Sequence, residues 1–108
     1  MTAQPVIPRV AALRDMEAAA DHYAEVADEE TAIRFIDALQ ATFDAIAAAP
    51  GTGAPRYAEA LDLPGLRHKR TGRFPHLVFY VERPDHIDVW RVLHARRDIP
   101  ASLSSADD

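Results

Sequence analysis

Apolar side chains return every three or four positions in the first half of the chain and every two in the second half. From Leu13, the set Leu13, Met16, Ala20, Tyr23 and Ala27 recurs at helical spacing, with Arg14, Asp15, Glu17, Asp21 and Glu25 filling the other face. An amphipathic helix starting near Arg9 is predicted. Asp28 supplies an N-cap, and Glu29 and Glu30 supply first-turn acids, for a second helix in which Ile36, Leu39, Phe43 and Ile46 repeat the pattern until Pro50-Gly51 stops it. The join between the two is short, so they are expected to pack antiparallel as a hairpin with a shared apolar face. Ahead of them, Val6-Ile7 between Pro5 and Pro8 predicts a short edge strand leading into the first helix.

Pro50–Pro64 gathers Gly51, Gly53, Pro55 and Pro64 among small residues and is expected to be an irregular connection. Beyond it the period changes to two. Leu66–Thr71 is a basic strand broken by Gly72, Phe74–Glu82 is rich in aromatic and β-branched residues, Arg83-Pro84-Asp85-His86 is a turn, and Ile87–His94 is a further strand. The order β-α-α-β-β-β defines an α+β domain, a helical hairpin packed on a small antiparallel sheet. One domain over residues 1–100 and a short polar tail over 101–108 are expected. Leu77–Val81 is apolar on both pleat faces, which places it inside the sheet, whereas the hairpin covers only one side. The other side must be covered by the chain itself, by a second copy or by a partner.

At 108 residues the chain can bury roughly two-thirds of its unfolded surface and needs no metal or disulfide. It has no cysteine, no run near the roughly 18 apolar residues of a membrane span, and no signal-peptide pattern, so a cytoplasmic protein without membrane contact is expected. Its net charge of −5 conceals two regions of opposite sign. Met1–Asp62 has four arginines against eleven acids, whereas Leu63–Arg97 has eight Lys/Arg against three acids. The acidic total argues against sequence-specific duplex binding over the whole surface, while the basic segment suits an acidic partner.

The chemistry-bearing residues exclude several functions. The five histidines show neither HExxH spacing nor any cysteine partner, so no metal is expected, and no serine sits in a GxSxG context. The four glycines form neither a Walker A loop nor GxGxxG, so no nucleotide or other cofactor is expected. His94 with Asp98 and Arg91 could form an acid–base group, and a strand-end histidine bonded to backbone would look the same. Arg91 lies within an apolar strand, where a charge is costly unless paired, with Glu82, Asp88 or Asp98 as partner, or unless it lines a functional surface. Arg67 and Lys69 share strand parity and Arg70 does not.

Gly65-Leu66-Arg67, Arg73-Phe74-Pro75 followed by Leu77-Val78-Phe79-Tyr80, and Arg91-Val92-Leu93-His94 with Arg96-Arg97-Asp98 resemble the C-terminal half of ParE toxins in the RelE/ParE superfamily. The likeness extends upstream through Asp15, Tyr23, Ala32, Arg34-Phe35-Ile36, Leu39, Pro50, Gly53 and Arg56, so that it covers nearly the whole chain. The resemblance implies the toxin of a type II toxin–antitoxin pair associated with plasmid stabilisation. It also implies a hetero-oligomer with a cognate ParD-like antitoxin of ribbon-helix-helix type with an acidic helical arm. ParE-like members are associated with inhibition of DNA gyrase by binding; RelE-like members cleave mRNA on the ribosome. A third alternative is a non-toxic homologue that only binds antitoxin. Ribonuclease members often complete their site with a C-terminal tyrosine or histidine, and the stretch after Asp98, IPASLSSADD, offers neither, which favours binding over catalysis. Candidate target-binding residues are Arg67, Lys69, Arg70, Arg73, Arg91, His94, Arg96 and Arg97. Candidate antitoxin-binding residues are Tyr23, Phe35, Leu39, Tyr80 and Trp90.

Overall fold

In the computed structural model, which describes residues 4–104, a helical hairpin lies on one face of a four-stranded sheet. Strand β1 (Val6–Pro8) runs straight into α1 (Val10–Val26), and α2 (Glu29–Ala48) returns antiparallel to it. Asp28 starts α2 as expected, its carboxylate accepting the Thr31 N–H at 2.7 Å. Strands β2 (Leu66–Arg70), β3 (His76–Glu82) and β4 (Ile87–His94) form the antiparallel meander. β1 adds to the outer edge of β4 in parallel, so the order is β1-β4-β3-β2 and the sheet is mixed rather than wholly antiparallel. The chain is led to this edge by the direct β1–α1 join, where the Arg9 N–H donates to Val89 O at 2.9 Å.

The expected helical rows turn inward through Met16, Ala20 and Tyr23 on α1 and Leu39, Phe43 and Ile46 on α2, and each differs from expectation at its start. Leu13 is 49% exposed and Ile36 46%, while Ala12 and Phe35 are fully buried. Ala12 lies four residues before Met16 and Phe35 four before Leu39, so both starts keep helical spacing, and packing against the twisted sheet selects them. Phe35, Leu39 and Ile46 then pack against Val78, Tyr80, Ile87, Val89 and Val92.

The second sheet face is covered by the chain itself. The expected irregular connection contains a 3₁₀ turn (Pro50–Thr52) and a short helix α3 (Arg56–Ala60), and a further short helix α4 spans Ile99–Leu103. With Leu61, Leu63 and Trp90, the two short helices close over Leu66, Phe79, Val81 and Leu93. Helices of five residues carry no readable 3.6-residue stripe, and their stability comes from this packing. Residues 101–103, expected in the polar tail, thus belong to α4, with Leu103 buried; residues 105–108 lie outside the described ones.

Two local devices set side-chain positions. A bulge in β4 pairs Phe79 with Arg91 and Tyr80 with Val89, so Trp90 is the extra residue. Tyr80 Oη donates to Pro50 O at 2.6 Å and accepts the Gly53 N–H at 3.1 Å, which fixes the connection over the end of α2. A Cβ on Gly53 would overlap the Tyr80 hydroxyl, so this close approach requires glycine.

Candidate functional site

Sheet topology gathers much of the positive charge at one end. β2 ends at Arg70, β3 begins at His76 opposite His94, and β4 ends at His94. The β2–β3 turn bearing Arg73 and the β4–α4 turn bearing Arg96 and Arg97 therefore leave the sheet together. All three arginines are exposed, as is Arg70, whose Nε donates to Phe74 O at 3.1 Å. Arg67 is set apart from this rim, its Nη1 donating to Gly53 O at 2.8 Å, and Lys69 is half-buried on the same strand face. Of the eight proposed target-binding residues, the fold thus brings Arg70, Arg73, His94, Arg96 and Arg97 to one rim.

Arg91 is committed to the interior. Its Nε donates to Asp15 Oδ2 at 2.7 Å, its Nη2 to Asp15 Oδ1 at 2.8 Å and its Nη1 to Ser102 O at 3.0 Å. The pair is nearly sealed, with side chains 11% and 10% exposed. The partner is none of Glu82, Asp88 or Asp98 but a helix acid 76 residues away in sequence. Tertiary geometry explains this choice. β1 stops at Pro8, leaving the Val92 N–H on the open edge of β4, and Asp15 Oδ2 accepts that N–H at 2.9 Å. One carboxylate therefore completes the sheet edge and neutralises the arginine, and its bonds hold the guanidinium charged above its ordinary pKa despite burial. Asp88 has its own partners, Arg9 and Arg83 at 3.0 and 3.2 Å, and accepts the Trp90 Nε1–H at 3.2 Å. Burial pushes the Asp88 carboxyl up, and the bonds from Arg9 and Arg83 more than reverse this, leaving it below the usual range. Asp98 caps α4 by accepting the Ala101 N–H, so the His94–Asp98–Arg91 combination does not form an acid–base relay.

Between α1 and the basic end lies a cleft of about 200 Å³ lined by Asp15, His22, His76, Val92, His94 and Arg97 together with Ala18 and Ala19. His76 is packed against Phe35, Tyr23 and His94, with ring centroids at 4.9, 5.8 and 5.3 Å respectively. Burial, reinforced by the neighbouring His94 and His22, pushes its pKa down to about 4. Sequence patterning passed over Asp15 and His76 as site residues because each sits where a helix or strand pattern already accounts for it. The one legible sign was a charge or imidazole in a row that contacts the core.

The residues proposed to bind an antitoxin are divided by burial. Phe35, Leu39 and Tyr80 are interior and offer no contact surface, since the apolar stripe they belong to faces the sheet. Tyr23 is half-buried, and burial raises its phenol pKa. Trp90 is half-buried beside an apolar groove of about 310 Å³ formed with Leu61, Leu63, Pro100 and Leu103, and Arg9 stacks over its ring at 4.6 Å. Among the described residues, the large apolar side chains that are exposed are Ile7, Val10, Leu13, Val26, Ile33 and Ile36.

Among the described residues no group of three or more His, Asp or Glu side chains could hold a metal ion, and no helix is long and apolar enough to cross a membrane. A small α+β domain with a helical hairpin on one sheet face and a basic sheet end is the class these features define. The family model described as ParE toxin of type II toxin-antitoxin system, parDE, matches residues 6–99, and the chain belongs to that family. A solved structure titled "Chromosomal ParDE TA system from P. aeruginosa" has the same fold. Its TM-score is 0.70 at 20% identity, and the alignment covers 84% of this chain and 95% of that one. No curated protein sequence matches significantly.

Proposed function

We propose that this toxin acts by binding rather than by catalysis: its basic sheet end engages DNA gyrase and inhibits replication, and a cognate antitoxin holds it inactive in the cytoplasm. The observation that supports binding most directly is the Asp15–Arg91 clasp. A ribonuclease would use a strand arginine against the scissile phosphate, and here that guanidinium is bidentate to a buried carboxylate. His76, at a pKa of about 4, is a poor general acid near neutral pH. The antitoxin expected is ParD-like, of ribbon-helix-helix type, in a hetero-oligomer with the toxin. An acidic helical arm suits the rim of Arg70, Arg73, Arg96 and Arg97, and its apolar residues suit Val26, Ile33 and Ile36 on the hairpin.

Controlled expression tests the reading. Filamentation with a DNA-damage response, together with loss of supercoiling by purified gyrase on adding the toxin, is the expected result. An immediate halt of protein synthesis with mRNA fragments would assign ribonuclease action instead, and normal growth would leave only antitoxin binding.

A further inference from the structure

Beyond any effect on a protein target, the cleft between α1 and the His76–His94 end of the sheet has the makings of a ligand site. Its donors are fixed by the fold. The Nδ1 of His94 accepts the Arg96 N–H at 3.0 Å, so in the neutral ring the proton resides on Nε2. The Nδ1 of His76 is sealed in the interior with no hydrogen-bond partner. A buried orphan N–H is rarer and costlier than a buried orphan lone pair, so the His76 proton also resides on Nε2. Two imidazoles that face each other across the β3–β4 pair therefore carry their N–H on the same ring position, and both line the cleft.

The charges agree with the donors. Arg97 supplies a guanidinium to the wall and His22 an exposed imidazole from α1. The lone acid there, Asp15, spends both oxygens on Arg91 and on the Val92 N–H, so its charge is already compensated. What remains is a concave site whose lining holds three imidazoles, one permanent cation and no uncommitted carboxylate. Donor-bearing residues on α1, β3, β4 and the following turn line the cleft, a distribution that suits a tetrahedral oxyanion better than a planar carboxylate. The volume suits one such group.

We infer that this cleft is a phosphate-binding site, with the His76 and His94 Nε2–H groups and the Arg97 guanidinium as donors. The phosphate is either free or one link of a phosphodiester chain, because Arg70, Arg73 and Arg96 continue the positive surface outward along the rim.

The test is a titration of the full chain with inorganic phosphate at pH 7 and constant ionic strength, following the imidazole signals of His76 and His94 by NMR. Saturable shifts of both rings are expected, with a Kd on the order of 1 mM. Arg97→Ala and His94→Phe should each weaken binding about tenfold or more, while Arg56→Ala, an exposed residue of α3 that does not line the cleft, should leave it unchanged. A short oligothymidylate that displaces phosphate identifies a phosphodiester as the ligand, and failure to displace identifies free phosphate; either result supports the site. Absence of saturable shifts, acetate binding as tight as phosphate, or an unchanged Kd in both folded variants would overturn it. None of these readouts depends on toxicity or on gyrase.

Discussion

Asp15 on α1 and Arg91 on β4 meet side-on through two hydrogen bonds of 2.7 and 2.8 Å, and the same carboxylate caps the strand edge through the Val92 N–H. Arg91 also reaches Ser102 O, so one ion pair ties the hairpin, the sheet and α4 together. The arginine that patterning marks as a candidate for a partner is a fastening within the domain.

Removing either partner should break a nearly sealed ion pair and leave a charged group in the interior without it. Asp15→Ala and Arg91→Ala are each expected to cost about 3–5 kcal/mol in urea unfolding. Arg14→Ala should remain within about 0.5 kcal/mol. The double variant Asp15→Ala/Arg91→Ala should lose less than the sum of the single losses. Strict additivity would rule out the coupling. Any fall in toxicity of Arg91→Ala should track its loss of folded protein, unlike that of Arg97→Ala.

Adjacent residues on α2 mark the point where the observed stripe departs from the expected one. Phe35→Ala opens a cavity among Leu39, Val78 and Tyr80 and should destabilise by about 3–5 kcal/mol. Ile36→Ala trims a side chain that is 46% exposed and should cost less than about 1 kcal/mol. Equal losses by calorimetry would place the stripe back on Ile36.

Glycine is required at one of two neighbouring positions. Gly53→Ala drives a methyl group into the buried Tyr80 hydroxyl and should cost about 1–3 kcal/mol, whereas Gly51→Ala meets nothing within 4 Å and should be tolerated. A melting temperature for Gly53→Ala equal to that of Gly51→Ala would contradict the Tyr80 clamp.

His76 makes stability depend on pH in a defined window. Its folded pKa of about 4 lies below the ordinary 6.5, so the unfolded chain takes up the proton first as pH falls. The stability associated with the neutral ring is complete above pH 6.5 and is lost progressively down to about 4, amounting to roughly 3 kcal/mol. His94, His22 and Asp15 face the ring, and His76→Phe keeps its contacts with Phe35 and Tyr23 while removing the titration. Urea midpoints of the wild type should fall between pH 7 and 4.5 more steeply than those of His76→Phe; parallel curves would exclude His76 as the source.

Periodicity and capping by themselves determined the two helices, the meander and the bounds of β4, because each rests on neighbours close in sequence: the Asp28 cap, the stop at Pro50, the alternation of Ile87–His94. They also carried the family signature, since Arg73-Phe74-Pro75 and the Arg91–Asp98 stretch are contiguous. Tertiary structure alone decided that Ala12 and Phe35 rather than Leu13 and Ile36 begin the inward rows, that α3 and α4 close the second sheet face, and that Asp15 rather than a nearby acid partners Arg91. It also brought His76, His94 and Arg97 around one cleft. These outcomes depend on sheet twist, on where β1 ends and on contacts between residues far apart along the chain, and local spacing holds no record of such distances.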